Sequence, residues 1–202
     1  MIDSEKILND IISKLNIIDE ADIPSIDLYM DQVTTFMDKH LKNNKRYDDD
    51  KILTKTMINN YAKNDLLPPP VKKRYSKEHV ILLAFIYYFK SILSINDIKT
   101  ILGPISDNYF DSNSKINLTD IYSTICNLEN DLCNNVKEDI LNKINDSKES
   151  FQNASKKDKE FLQLYSLISS LSFDVYIKKQ MIEAIIDQIN KDNGPIEKDS
   201  KK

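Results

Sequence analysis

Between Leu53 and His79 the chain reads LTKTMINNYAKNDLLPPPVKKRYSKEH, and this segment gathers the side chains best suited to touching a nucleic acid. Lys55, Thr56, Asn59, Asn60 and Lys63 recur at helical spacing, so a helix would present them on one side. Asn can read adenine through two hydrogen bonds in a major groove, and Thr can meet a base edge or the thymine methyl. Lys72, Lys73, Arg74 and Lys77 follow on an extended strip, where cations would neutralise phosphates flanking that groove. Tyr61 and Tyr75 add hydroxyls able to donate to phosphate.

Other residues invite chemistry and do not complete it. Cys126 and Cys133 share a face two helical turns apart, about 10 Å along the axis. That is too far to chelate one ion at thiolate distances or to close a disulfide, so they read as buried or half-buried thiols. With only two histidines, His40 and His79, neither a catalytic dyad nor a transition-metal site is expected. His40 falls at a helix C-terminus, where a cation suits the dipole, and His79 in the first turn of a helix. Asp48, Asp49 and Asp50 are consecutive and therefore diverge, unlike the alternating ligands of a calcium loop. The run with Phe85, Tyr87, Tyr88 and Phe89 reads as a packed helix before it reads as a pocket for a planar effector.

Charge supports the first segment. The net charge is −4, yet Lys39 to Lys77 holds eleven Lys or Arg against four Asp, which is +7. The remainder holds 17 against 28, which is −11. Such an asymmetry points to a polyanion-binding surface. Two glycines in 202 residues exclude phosphate loops and dinucleotide fingerprints. They also suggest a basic strip stiffened by Pro68, Pro69 and Pro70 in place of a glycine-tipped hairpin. No apolar run is long enough for a membrane span and no leader opens the sequence, so a soluble, cytoplasmic, non-enzymatic chain with no cofactor or metal is expected.

The elements that must position these residues are helical, because apolar residues recur every three or four positions throughout. A first helix follows Ser4, and Ser25 is placed to cap a second that buries Leu28, Val33, Phe36, Met37 and Leu41. Thr54 caps the short polar helix, which ends before the prolines. Ser76 caps an apolar helix to Lys90, and Ser94 with Asp97 opens another that closes at Gly103-Pro104. A long stripe from Leu118 to Ile144 and two shorter helices, over Phe161–Leu171 and Ile177–Ile189, complete the chain. The divisions expected are an N-terminal helix (1–24), a domain at 25–103, a linker at 104–116, a helical region at 117–192 and a disordered tail at 193–202.

The order short helix, Leu66-Leu67, prolines, basic strip ending in Arg74-Tyr75, then capped helix resembles the DNA-binding region of the MerR family of winged helix-turn-helix regulators. The resemblance runs from Thr54 to Leu102 and includes Ser94-Ile95-Asn96-Asp97-Ile98-Lys99. With Leu28-Tyr29-Met30-Asp31-Gln32-Val33 upstream, the chain looks more closely like the domain of unknown function (DUF) 1836 family. Thr54, Ile58, Tyr61, Lys63, Arg74 and Tyr75 stand on family-type positions. Thr56, Asn59 and Asn60 stand where MerR members commonly carry Arg, Arg and Tyr, and Asp65 replaces the turn glycine.

The fold class expected is therefore all-α: a MerR-like winged helix-turn-helix followed by a helical dimerisation or bundle region. The resemblance implies a transcriptional regulator that binds double-stranded DNA as a homodimer. Leu118, Ile121, Ile125, Leu128, Leu132 and Val136 are the candidate dimer contacts, and an effector is left open. The other reading is a protein–protein adaptor that retains the fold without specific DNA recognition.

Overall fold

The computed structural model describes residues 2–111 and 115–192, with only the backbone described for 129–132. Seven α-helices and one pair of two-residue strands appear among the described residues. The charged tail at 193–202 lies outside them. The chain divides into two compact units.

One unit holds Asn16–Cys126 and the end of the chain from Met181. Its strand β1 (Leu28–Tyr29) leads into α2 (Met30–Leu41). Ser25 does not cap this helix: Leu28 and Tyr29 pair antiparallel with Tyr75 and Arg74 of β2 (Arg74–Tyr75), so the chain stays extended to Tyr29. Gln32 then accepts the Tyr29 N–H at 2.8 Å and closes the first turn of α2. Leu28 is buried as expected, but on the strand.

Helix α3 (Lys55–Lys63) starts at Thr54, whose hydroxyl accepts the Met57 N–H at 3.1 Å. It ends in a Schellman turn. The Leu66 N–H bonds the Tyr61 carbonyl at 2.9 Å and the Asp65 N–H reaches the Ala62 carbonyl at 3.4 Å, with Asp65 left-handed at φ 55°. Asp65 thus holds the conformation the turn requires without a glycine there.

Helix α4 (Lys77–Phe89) is the centre of this core, with every residue from His79 to Ile86 buried. A helix apolar on all sides belongs inside, and α4 is covered accordingly. Ile58 of α3, Leu66, Leu67, Val33 and Met37 of α2, and Tyr75 all join its hydrophobic cluster. Helix α5 (Ile95–Tyr109) is capped by Ser94 with Asp97. It does not close at Gly103-Pro104 but runs through Pro104 to Tyr109. Leu102 is buried, and Ile101, Ile105 and Tyr109 pack against the same core. Burial of that face outweighs the missing donor, and the region expected to be linker from 104 is helix as far as Tyr109.

Helix α6 (Leu118–Glu149) opens with Asn117 and Asp120 capping each other's backbone. Its first turns bury Leu118 and Tyr122 in this core. Tyr122 donates to the Ile18 carbonyl at 2.7 Å, while the Ile18 N–H donates to the Tyr88 hydroxyl at 3.1 Å. One peptide segment is thereby held from both sides.

The other unit is formed by residues 1–15 and 127–180. The N-terminal helix is therefore not a division of its own. Helix α1 (Ser4–Lys14) buries Leu8 against Ile144 of α6 and Leu167 of α7 (Lys156–Asp192). Helix α7 is one continuous helix of 37 residues where two shorter ones were expected. Between Leu171 and Ile177 there is no Gly, Pro or capping break, and Lys178 pairs with Asp174 one turn away. At the turn between the long helices, Gln163 donates to the carbonyls of Lys148 and Ser150 at 2.6 and 3.0 Å, closing the end of α6.

Candidate nucleic-acid interface

Helix α3 buries Ile58 and Tyr61 and therefore turns Lys55, Thr56, Asn59, Asn60 and Lys63 to solvent. All five predicted contact residues of the helix are exposed. Lys55 is nonetheless paired with Asp31 of α2, which offsets its charge. Lys63 has no ion-pair partner among the described residues.

The strip after the prolines is a hairpin tip. The Arg74 N–H bonds the Val71 carbonyl at 2.9 Å, and Lys72 and Lys73 between them have φ of 50° and 65°. Two consecutive left-handed residues make the tight turn that matches the strand twist, a position normally filled by Asn-Gly. The tip carries no glycine, as expected, yet the strip does not run extended throughout: it turns back as a hairpin, with lysines where glycine would be comfortable. Lys72, Lys73 and Arg74 are all exposed.

Arg74 is held where it stands. Its guanidinium lies 5.2 Å from the Tyr29 ring centroid and donates to the Tyr29 hydroxyl at 3.2 Å. Tyr29 faces Arg74 across the strand pair, so register fixes the contact. Tyr29 is not among the contact residues that the sequence singles out. The aromatic–cation pair spans 45 positions, and nothing local announces it.

Three predicted contacts are placed elsewhere. Tyr61 and Tyr75 bury their rings in the core, which leaves only their hydroxyls for the phosphate contact expected of them. Burial pushes both hydroxyls above the ordinary phenol range. They are the apolar faces from which α3 and the hairpin project. Lys77 is half-buried and bonded to Glu20, which takes its charge out of the cationic strip.

His79 supports the base of the hairpin. Its Nδ1 accepts the Ser76 N–H at 3.0 Å, which leaves the proton on Nε2. The ring stands edge-on to Tyr75 at 5.4 Å and to Phe110 at 4.8 Å. Nε2 is buried without a partner at bonding distance. Burial holds the imidazole below its ordinary value against the opposing pull of the Pro69 and Pro68 carbonyls.

The remaining candidates fall as ordinary structure. Cys126 and Cys133 are half-buried thiols that form no disulfide. His40 packs on Phe36 and lies 3.8 Å from Asp22. Asp48, Asp49 and Asp50 are exposed, and no cluster among the described residues could hold a metal. Ala84, Phe85 and Ile86 are buried, and Tyr87, Tyr88 and Phe89 pack against the core. No described helix is long and apolar enough to cross a membrane.

The stripe on α6 is divided. Leu118 is fully buried in the core of its own chain, while Ile121 and Val136 are half-buried. Ile125 and Leu128 are exposed, and the side chain of Leu132 lies outside the described residues.

The family model of the domain of unknown function DUF1836 matches residues 18–125, more than half of the chain. The chain belongs to the DUF1836 family. No curated protein and no solved structure matches it. The DUF1836 region begins at Ile18 and takes in α2 to α5, the hairpin and the first turns of α6. The exposed cations and polar side chains described above all lie inside it.

Proposed function

We propose that this DUF1836 protein is a transcriptional regulator that binds duplex DNA as a homodimer, in the manner of a MerR-like winged helix-turn-helix. In this reading α3 enters the major groove with Thr56, Asn59 and Asn60 toward base edges. The hairpin tip acts as the wing on the backbone. The observation that carries it is the tip itself: three consecutive exposed cations on a strained two-residue turn, the last braced by Tyr29. Lysines that strain the backbone are poor choices for a hairpin, and backbone strain of this kind collects at functional positions.

The test is the salt dependence of duplex binding. Each phosphate that the protein ceases to neutralise flattens the slope of log K against log salt by about 0.9. Changing Lys72, Lys73 and Arg74 together to Ala is expected to weaken binding and to flatten that slope by about 2–3. Duplex binding that is undetectable at low salt would overturn the reading.

The second reading, a protein–protein adaptor, is favoured by a different observation. Lys55 and Lys77 are tied to Asp31 and Glu20, which leaves Lys63 as the sole unpaired cation of α3 among the described residues. A wild-type chain that ignores DNA yet retains a partner through the α3 surface would support it.

A further inference from the structure

Helix α7 carries apolar residues on two faces, and only one of them is covered. Leu167 is buried against Leu8 and Ile144, and Leu171 packs beside it. On the other face Phe161, Tyr165, Ile168, Val175 and Tyr176 are each 58–69% exposed. Phe161, Tyr165, Ile168, Ser172 and Val175 follow one another at intervals of four, three, four and three residues, the spacing of a coiled-coil seam. The Phe161 and Tyr165 rings already stack along it at 6.4 Å.

We infer that this face is the dimer contact, and that its occupant is α7 of a second copy. The area argues for it. Phe161, Tyr165, Tyr176 and Phe173 at its edge leave about 500 Å² of ring surface in water, taking 150–250 Å² per ring. With Ile168 and Val175 added, the patch reaches the upper end of what a monomer exposes, about 300–600 Å². It approaches the ~800 Å² per partner of a stable interface. Residues 193–202 hold one large apolar side chain, Ile196, among charges.

The seam is complementary to itself when reversed. Antiparallel pairing about the Ile168–Ser169 bond sets the Tyr165 ring opposite Ser172, large against small, and Phe161 opposite Tyr176 beside Val175. The α6 stripe offers no such continuity, since Leu118 is already buried in its own core.

This deepens the homodimer part of the proposed function, and sedimentation equilibrium of the full chain without DNA tests it separately from the hairpin. The wild type is expected to be a dimer. Tyr165→Lys with Ile168→Lys, both exposed within one chain, is expected to raise the dissociation constant about 100-fold with unchanged helical circular dichroism. Leu128→Lys on α6 is expected to leave it unchanged. Ile168→Cys, in a C126S/C133S background, is expected to form an interchain disulfide on mild oxidation. A monomeric wild type, dissociation by the Leu128 change, or a Cys variant that does not cross-link overturns the inference, whatever the chain does with DNA.

Discussion

A left-handed backbone costs a residue with a Cβ roughly 1–2 kcal/mol, and Lys72 and Lys73 adopt it in succession. The same two residues carry exposed charge, so stability and charge are opposed there. Lys72→Asn with Lys73→Gly supplies the residues this turn prefers. The pair is expected to raise stability by about 1 kcal/mol in urea unfolding while weakening duplex binding. If stability falls, the turn is not strained as described. Asp65 shows how far the sequence discloses such positions. The helix before it, Leu66-Leu67 and the prolines after it all announce a turn, and Asp is among the residues that tolerate the left-handed region. Nothing of the kind marks Lys72-Lys73, because lysine has no preference for it. Scarcity of glycine made that hairpin illegible: Asp65, Lys72, Lys73, Asp111 and Phe151 occupy left-handed positions that glycine would otherwise signal.

At the scale of elements, helix caps were legible and helix ends were not. Thr54 and Ser94 cap as their spacing implies, since a cap is a local bond. Ser25 fails for a non-local reason, the pairing of Leu28 and Tyr29 with Tyr75 and Arg74. Pro104 fails as a stop because Ile101, Leu102 and Ile105 are worth more buried than the bond it forfeits. Pro104→Ala restores the donor to a helix that is already formed. It is expected to stabilise the chain by about 1 kcal/mol or more, read as a higher urea midpoint at constant slope. A lower midpoint would mean that proline shapes α5 in a way the packing needs. The exposed polar face of α3 followed from periodicity alone. The inward placement of Tyr61 follows from the same spacing, whereas that of Tyr75 on the basic strip does not, because a tyrosine is amphipathic and sequence does not say which end is wet.

For the molecule as a whole, His79 couples stability to acidity. Its imidazole is held below the ordinary value of about 6.5, chiefly by burial, with the Asp111 and Glu78 charges pulling the other way. The unfolded chain therefore binds the proton first. Stability attributable to this group is complete above pH 6.5 and declines as the pH falls below it, by at most about 1.4 kcal/mol per pH unit. Thermal unfolding at stepped pH is expected to show that decline, and His79→Gln is expected to reduce it. Because Ser76, Tyr75 and Phe110 surround the ring, the hairpin base is expected to loosen first, seen as faster amide exchange at Tyr75 and Ser76.

The grip of Tyr122 and Tyr88 on Ile18 bears on how this region sits within a longer chain. Ile18 is the first residue of the family match, and Tyr122 lies three positions before its last. Its entry and exit points are therefore adjacent, which is the geometry of an insertion cassette. Flanking sequence leaves from one place and can build a second body from both sides, as residues 1–15 and 127–180 do. Circular permutation is the corollary. Joining the two ends of the region with a short linker and opening the exposed Asp48–Asp50 loop should preserve the fold only if Met181–Asp192 is kept with it, because Ile182 and the buried Ile186 of α7 belong to the same core.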